Sequence, residues 1–165
     1  MKLLPVADAP KFVKDIEPGV MFCLTHKTEK CFGWKCIEVG TNYAYLVFST
    51  PFRNVQAFEL VDAEPLADEI GIPFTDAKLL PNSATMESAR TPEAKAGTLL
   101  VSPNDAGLVV TKQHQSFILS LDSGQLSPAN AAAWVSYPAW EIVSPVDPKN
   151  VEKGTSILTF SAHPA

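Results

Sequence analysis

The densest set of chemistry-bearing side chains lies in CLTHKTEKCFGWKC, from Cys23 to Cys36. Its possible ligands are Cys23, His26, Cys31 and Cys36, spaced C-x2-H-x4-C-x4-C. Three thiolates and one imidazole are enough to close a tetrahedral zinc shell, so this segment is the candidate metal site. A plainer reading competes with it. Cys23 aligns with Val101 in the later part of the chain, which marks it as an apolar core position, and free cysteine is commonly a small buried hydrophobe. In a regular strand, alternation also puts Cys23 and His26 on opposite faces, and Cys31 and Cys36, five apart, meet the same difficulty. An odd set of three cysteines fits reduced thiols better than a disulfide framework.

The 2-4-4 spacing resembles that of the zinc knuckle, whose order is C-x2-C-x4-H-x4-C. Here the histidine and the second cysteine are exchanged, and the glycine expected after the second ligand is Lys27. The resemblance covers these 14 residues alone.

Other catalytic patterns are weaker. Asp62 with Glu64, and Asp68 with Glu69, are acidic neighbours, but no spacing holds two carboxylates on one substrate. Glu59 and Glu141 sit in similar pentapeptides and are expected as outward residues of amphipathic strands. There is no G-x-S-x-G elbow and no phosphate-cradling glycine loop. His114, in KQHQS, is expected at a hairpin tip, and no neighbour is visible that would activate a cysteine for it. No residue is assigned a catalytic role.

Aromatic residues are the remaining clue. Trp34, Tyr43 and Tyr45 fall in one expected hairpin, and Trp134, Tyr137 and Trp140 cluster near the end. Aromatic side chains are favoured at interface centres. Trp34, Tyr43 and Tyr137 are the candidate binding residues. Trp34 is expected exposed beside Gly33 and Lys35, and Tyr137 beside Pro138.

The elements that must position these residues read mostly as strands. Val20–Thr25 follows a Pro-Gly turn signal, and Cys31–Val39 and Asn42–Ser49 flank Gly40-Thr41 as a hairpin. Val55–Val61 is expected as a fourth strand by its alternation. Thr98–Ser102, Leu108–Lys112, Ser116–Asp122, Ala139–Val143 and Ser156–Ser161 follow. Short helical pieces are expected over Pro65–Ile70, Arg90–Lys95 and Ser127–Trp134, the last with Ser127 as cap and Pro128 at the first position.

Four segments recur in order. KLLP occurs at 2–5 and 78–81, IEPGVMFCL (16–24) matches AKAGTLLVS (94–102), YAYLVFS (43–49) matches SFILSLD (116–122), and AFELV (57–61) matches AWEIV (139–143). The offsets are 76, 78, 73 and 82, so insertions lie between the blocks, where loops tolerate them. The expected fold is therefore mainly β, with two tandem small β-barrel or roll units of the SH3-like kind, 1–77 and 78–165. Units this small are marginal alone, so they are expected to pack about a pseudo-twofold axis with Phe58 and Trp140 both buried in a shared core.

A net charge of −5 and a pI near 5.1 disfavour nucleic acid as a partner, because phosphate binding needs concentrated positive charge. No apolar run approaches a membrane span of about 20 residues, and the start lacks the apolar core of a secretory signal, so a cytoplasmic setting is expected. The function expected is a non-catalytic binding or assembly module engaging a protein partner or a second copy. A small zinc domain, and an enzyme with a small-molecule site between the halves, are the alternatives. Apart from zinc no cofactor is expected.

Overall fold

The computed structural model describes residues 8–90, 94–129, 133–144 and 155–162. Strands make up 55% of the described residues and no described helix reaches seven residues, so the fold is mainly β. None of the described helices is long and apolar enough to cross a membrane. The KLLP copy at 2–5, residues 91–93 of the expected Arg90–Lys95 helix and residues 130–132 of the expected Ser127–Trp134 helix lie outside the described residues.

The strands are β1 (Lys11–Phe12), β2 (Met21–His26), β3 (Glu29–Glu38), β4 (Ala44–Phe48), β5 (Val61–Asp62), β6 (Ile70–Phe74), β7 (Lys78–Pro81), β8 (Glu87–Arg90), β9 (Leu99–Val101), β10 (Ala106–Lys112), β11 (Gln115–Ser120), β12 (Gln125–Pro128), β13 (Ala133–Tyr137), β14 (Ala139–Ser144) and β15 (Thr155–Ser161). Three 3₁₀ turns, Val13–Asp15, Glu64–Leu66 and Ser83–Thr85, are the described helical pieces. Twelve strands form one branched sheet, and β15-β14-β7 form a second. Among the described residues the large sheet does not close into a barrel. Its path ends on β1 and β8, which pair on one side only.

Within the large sheet the order β1-β6-β2-β3-β4-β5 is followed in register by β8-β13-β9-β10-β11-β12. Lys11 opposite Gly71 and Phe12 opposite Ile70 recur as Ala89 opposite Trp134 and Arg90 opposite Ala133. Phe22 opposite Gly33 recurs as Leu100 opposite Gly107. Trp34 opposite Val47 recurs as Leu108 opposite Leu119, and Tyr45 opposite Asp62 as Phe117 opposite Pro128. The left-handed residues recur as well: Gly19 with Gly97, Gly40 with His114, and Phe58 with Gly124. Each path also crosses the other by a short parallel contact, Gln125 beside Ile37 and Glu59 beside Thr111.

Three expectations change. The register counterpart of Phe58 is Gly124, so the AFELV–AWEIV match is a resemblance of composition rather than of place. Residues 55–60 are not a strand, because Phe58 turns the chain at φ 59. Ser127 and Pro128 lie in β12 and Trp134 in β13, so the described ends of SPANAAAW are strand: cross-strand pairing outweighs the local Ser-Pro start signal.

One core cluster draws on both paths and on the second sheet, with Met21, Trp34, Val47 and Phe58 against Leu99, Leu108, Leu119, Trp140 and Ile142. Phe58 and Trp140 are both buried, edge to face at 6.0 Å, and the Trp140 indole N–H donates to Gly97 O at 2.7 Å. A second cluster under the outer face of the first path holds Val13, Ile16, Phe22, Leu24, Phe48 and Phe52.

Candidate functional site

The sequence-defined ligands do not converge. β3 alternates, so Cys31 faces the cluster of Phe22 and Leu24 while Cys36 faces that of Met21 and Trp34. Cys23 is buried, and the His26 ring lies against Phe52 at a centroid distance of 5.1 Å. Among the described residues no three His, Cys, Asp or Glu side chains are grouped to hold a metal ion. All three thiols are free, and burial pushes each of them up from the ordinary cysteine range, Cys36 most. This is the arrangement of packing cysteines rather than a metal shell.

The acidic neighbours also separate. Asp68 accepts from Lys14 at 2.7 Å, Glu69 pairs with Arg53 at 3.5 Å, and Glu59 and Glu141 line different hollows. His114 is exposed on the β10–β11 turn, where both Gln113 and His114 are left-handed, whereas Cys36 is fully buried.

The aromatic candidates divide. Trp34 is buried at 3% exposure, edge to face with Trp140 at 6.3 Å, which overturns its expected exposure. Tyr137 is half-buried and packs on the main core cluster. Tyr43 is 67% exposed, and its ring stacks on Tyr45 at 6.4 Å and 24°. The two tyrosines are two apart where the chain enters β4, so the pleat sends them to one side.

Two open hollows flank this pair. One, of about 440 Å³, is lined by Tyr45, Arg53, Glu59, Asp62 and Lys112 among others. The other, of about 800 Å³, lies against Tyr43, Asn42, Lys14, Lys35 and Glu64. Asp62 and Pro65 line both, so β5 and the turn after it form a shared ridge. The connection from β4 to β5 builds the first hollow, with Phe52, Arg53 and Val55 in its wall. The corresponding connection from β11 to β12 is a short turn.

The electrostatics of the site follow from a few contacts. Lys112 Nζ donates to Tyr45 Oη at 2.5 Å, and Tyr45 Oη donates to Glu38 Oε2 at 3.3 Å. That hydrogen bond, with the fields of Tyr45, Glu38 and Asp62, holds the Lys112 ammonium above its usual range against slight desolvation. Lys35 is pushed down by desolvation, opposed by Glu17 and Asp15, and donates to Lys14 O at 2.7 Å and Val13 O at 3.3 Å. Sequence reasoning missed Lys112 and Glu38 and weighed Asp62 only as an acidic neighbour of Glu64, because parts of the chain 67 residues apart, Lys112 and Tyr45, meet here only through the strand crossing. Comparison with protein-family models, with curated proteins and with solved structures finds no match.

Proposed function

We propose that the protein is a non-catalytic binding or assembly module, built from two related β units about a pseudo-twofold axis, that engages a protein partner or a second copy of itself. The recurrence of six strand positions in one register supports the two-unit reading. The observation that carries the binding reading is Tyr43, a large ring two-thirds exposed yet held by stacking on Tyr45 at the rim of the hollow of about 800 Å³. An aromatic side chain ordered before binding loses little conformational freedom on contact, which is what interface anchors need. Val39, 58% exposed at the same hairpin end, extends the apolar surface. The test replaces Tyr43 with a photocrosslinking phenylalanine analogue in the native cell. A discrete crosslinked species, either one other protein or a dimer, is expected; monomer alone after irradiation overturns the reading.

A further inference from the structure

We propose that the outer edge of β15 pairs antiparallel with the same edge of a second copy, joining two three-stranded sheets into one of six strands. A strand edge presents a row of backbone N–H and C=O groups to any passing strand, and proteins blunt such edges by shortness, charge or proline. Among the described residues five strands pair on one side only: β1, β5 and β8 of the large sheet, and β7 and β15 of the small one. Four of them are blunted. β1 and β5 are two residues long and carry Lys11 and Asp62, β8 runs from Glu87 to Arg90, and β7 from Lys78 to Pro81. The seven residues of β15, TSILTFS, include no charge and no proline. Its one irregularity is a bulge between the partners of Ile142 and Val143, which leaves residues 158–161 in regular register.

The register fixes which groups face outward. Ala162 N–H donates to Pro138 O at 2.8 Å, so Phe160 and Leu158, at every second position back, also turn their backbone toward β14. Thr159, between them, turns its N–H and C=O away from the sheet, and its side chain is exposed. A twofold axis through Thr159 lets the two copies exchange both bonds there and sets Phe160 beside Leu158 of the second copy. Phe160 and Leu158 are half-buried against the main core cluster, opposite Trp140 and Ile142. The apolar row of Trp140 and Phe160 therefore continues into Leu158 and Ile142 of the second copy. The absence of charge selects the occupant. A charged strand laid against itself sets like charges opposite each other, which is destabilising, and β15 sets none.

The experiment is analytical ultracentrifugation of the full chain over a concentration series. A species of twice 17.8 kDa should grow with concentration, as a small edge-to-edge contact requires. Thr159→Pro removes the outward N–H from both copies but no bond to β14, so it should weaken dimerisation by about tenfold or more. Thr159→Val keeps that N–H and should change dimerisation by less than about threefold. In Thr159→Cys a short bismaleimide should link two chains through the new thiols, the three native cysteines being buried. Melting curves matching the wild type establish that the variants are folded, and if the proline variant melts early the thiol link decides, its absence overturning the pairing. Monomer at every concentration, a dimer undiminished in Thr159→Pro, or equal loss in Thr159→Val also overturns it. So does an edge that takes a strand from another protein while the chain stays monomeric. No residue of β15 lines either hollow beside Tyr43, so each of these results leaves the Tyr43 surface to be judged by its own crosslink.

Discussion

His114 holds a left-handed backbone, φ 66, at the place where the first path has Gly40. A residue with a Cβ is strained there, and His114 is exposed with no packing to compensate. His114→Gly should therefore raise stability by about 1 kcal/mol in urea denaturation, and a loss instead would show that the imidazole is anchored. The thiols give a second residue-scale prediction. Burial raises all three in the folded chain, so above pH ~8.5, where an unfolded cysteine ionises, the unfolded state binds fewer protons. Stability is then fully present below that pH and falls as pH rises. The urea midpoint should drop between pH 7 and 9.5, less steeply in Cys36→Ala, and Ellman's reagent should find three thiols only after unfolding. At this scale the sequence was readable for burial of Cys23 and misleading for Trp34. Its neighbour Gly33 reads as a sign of exposure, but it is a glycine because a Cβ would lie 2.4 Å from Val47 O and 2.8 Å from the Phe48 ring.

Among the elements, β2 and β9 were legible because each follows a left-handed glycine and then runs apolar. Strands β6 and β12 were not. IGIPF carries a glycine and a proline, and QLSP carries a proline, both poor strand signals that tertiary pairing overrides. The two paths also exchange volume at one register position. Gly71 leaves room filled by Ile16, whose Cδ1 lies 2.9 Å from where a glycine Cβ would sit, while its counterpart Trp134 and the counterpart of Ile16, Ala94, pack on one cluster of Leu100, Val109 and Ile118 in the second path. Large with small in one path becomes small with large in the other, and no single-strand pattern reveals that. The tightest element contact is Gly124 against the turn at Gly19, where a Cβ on Gly124 would lie 2.3 Å from Gly19 N and 2.4 Å from Pro18 C. Backbone cannot yield as a flexible side chain does, and Gly124 is itself left-handed at φ 69. Gly124→Ala should cost more than about 2 kcal/mol of unfolding free energy. Trp140→Phe, which deletes the buried bond to Gly97 O, should cost about 1–2 kcal/mol with its core contacts largely kept.

At the scale of the whole molecule, the two paths are interlocked rather than merely adjacent. Ile37 N–H donates to Gly124 O at 2.9 Å, and Thr111 N–H donates to Phe58 O at 2.9 Å, so β12 pairs with β3 of the first path and the first path returns a single bridge at Glu59. The main core cluster takes side chains from both, and Lys112 of one closes on Tyr45 and Glu38 of the other. Cutting after Ala77 would remove Leu99, Leu108, Leu119 and Trp140 from against Met21, Trp34 and Val47, leaving a large apolar face in water. At about 25 cal/mol per Å² of apolar surface, losing a few side chains' worth of contact matches the whole stability of a small domain. The fragment 1–77 should therefore show no cooperative melt by circular dichroism and should bind a hydrophobic dye. Mixed with the separately expressed fragment 78–165, it should recover a single transition, since the contacts that complete it lie in that second piece. A sharp melt from 1–77 alone would mean that the crossings dock two finished units, and the shared core would then be an interface rather than the source of the fold.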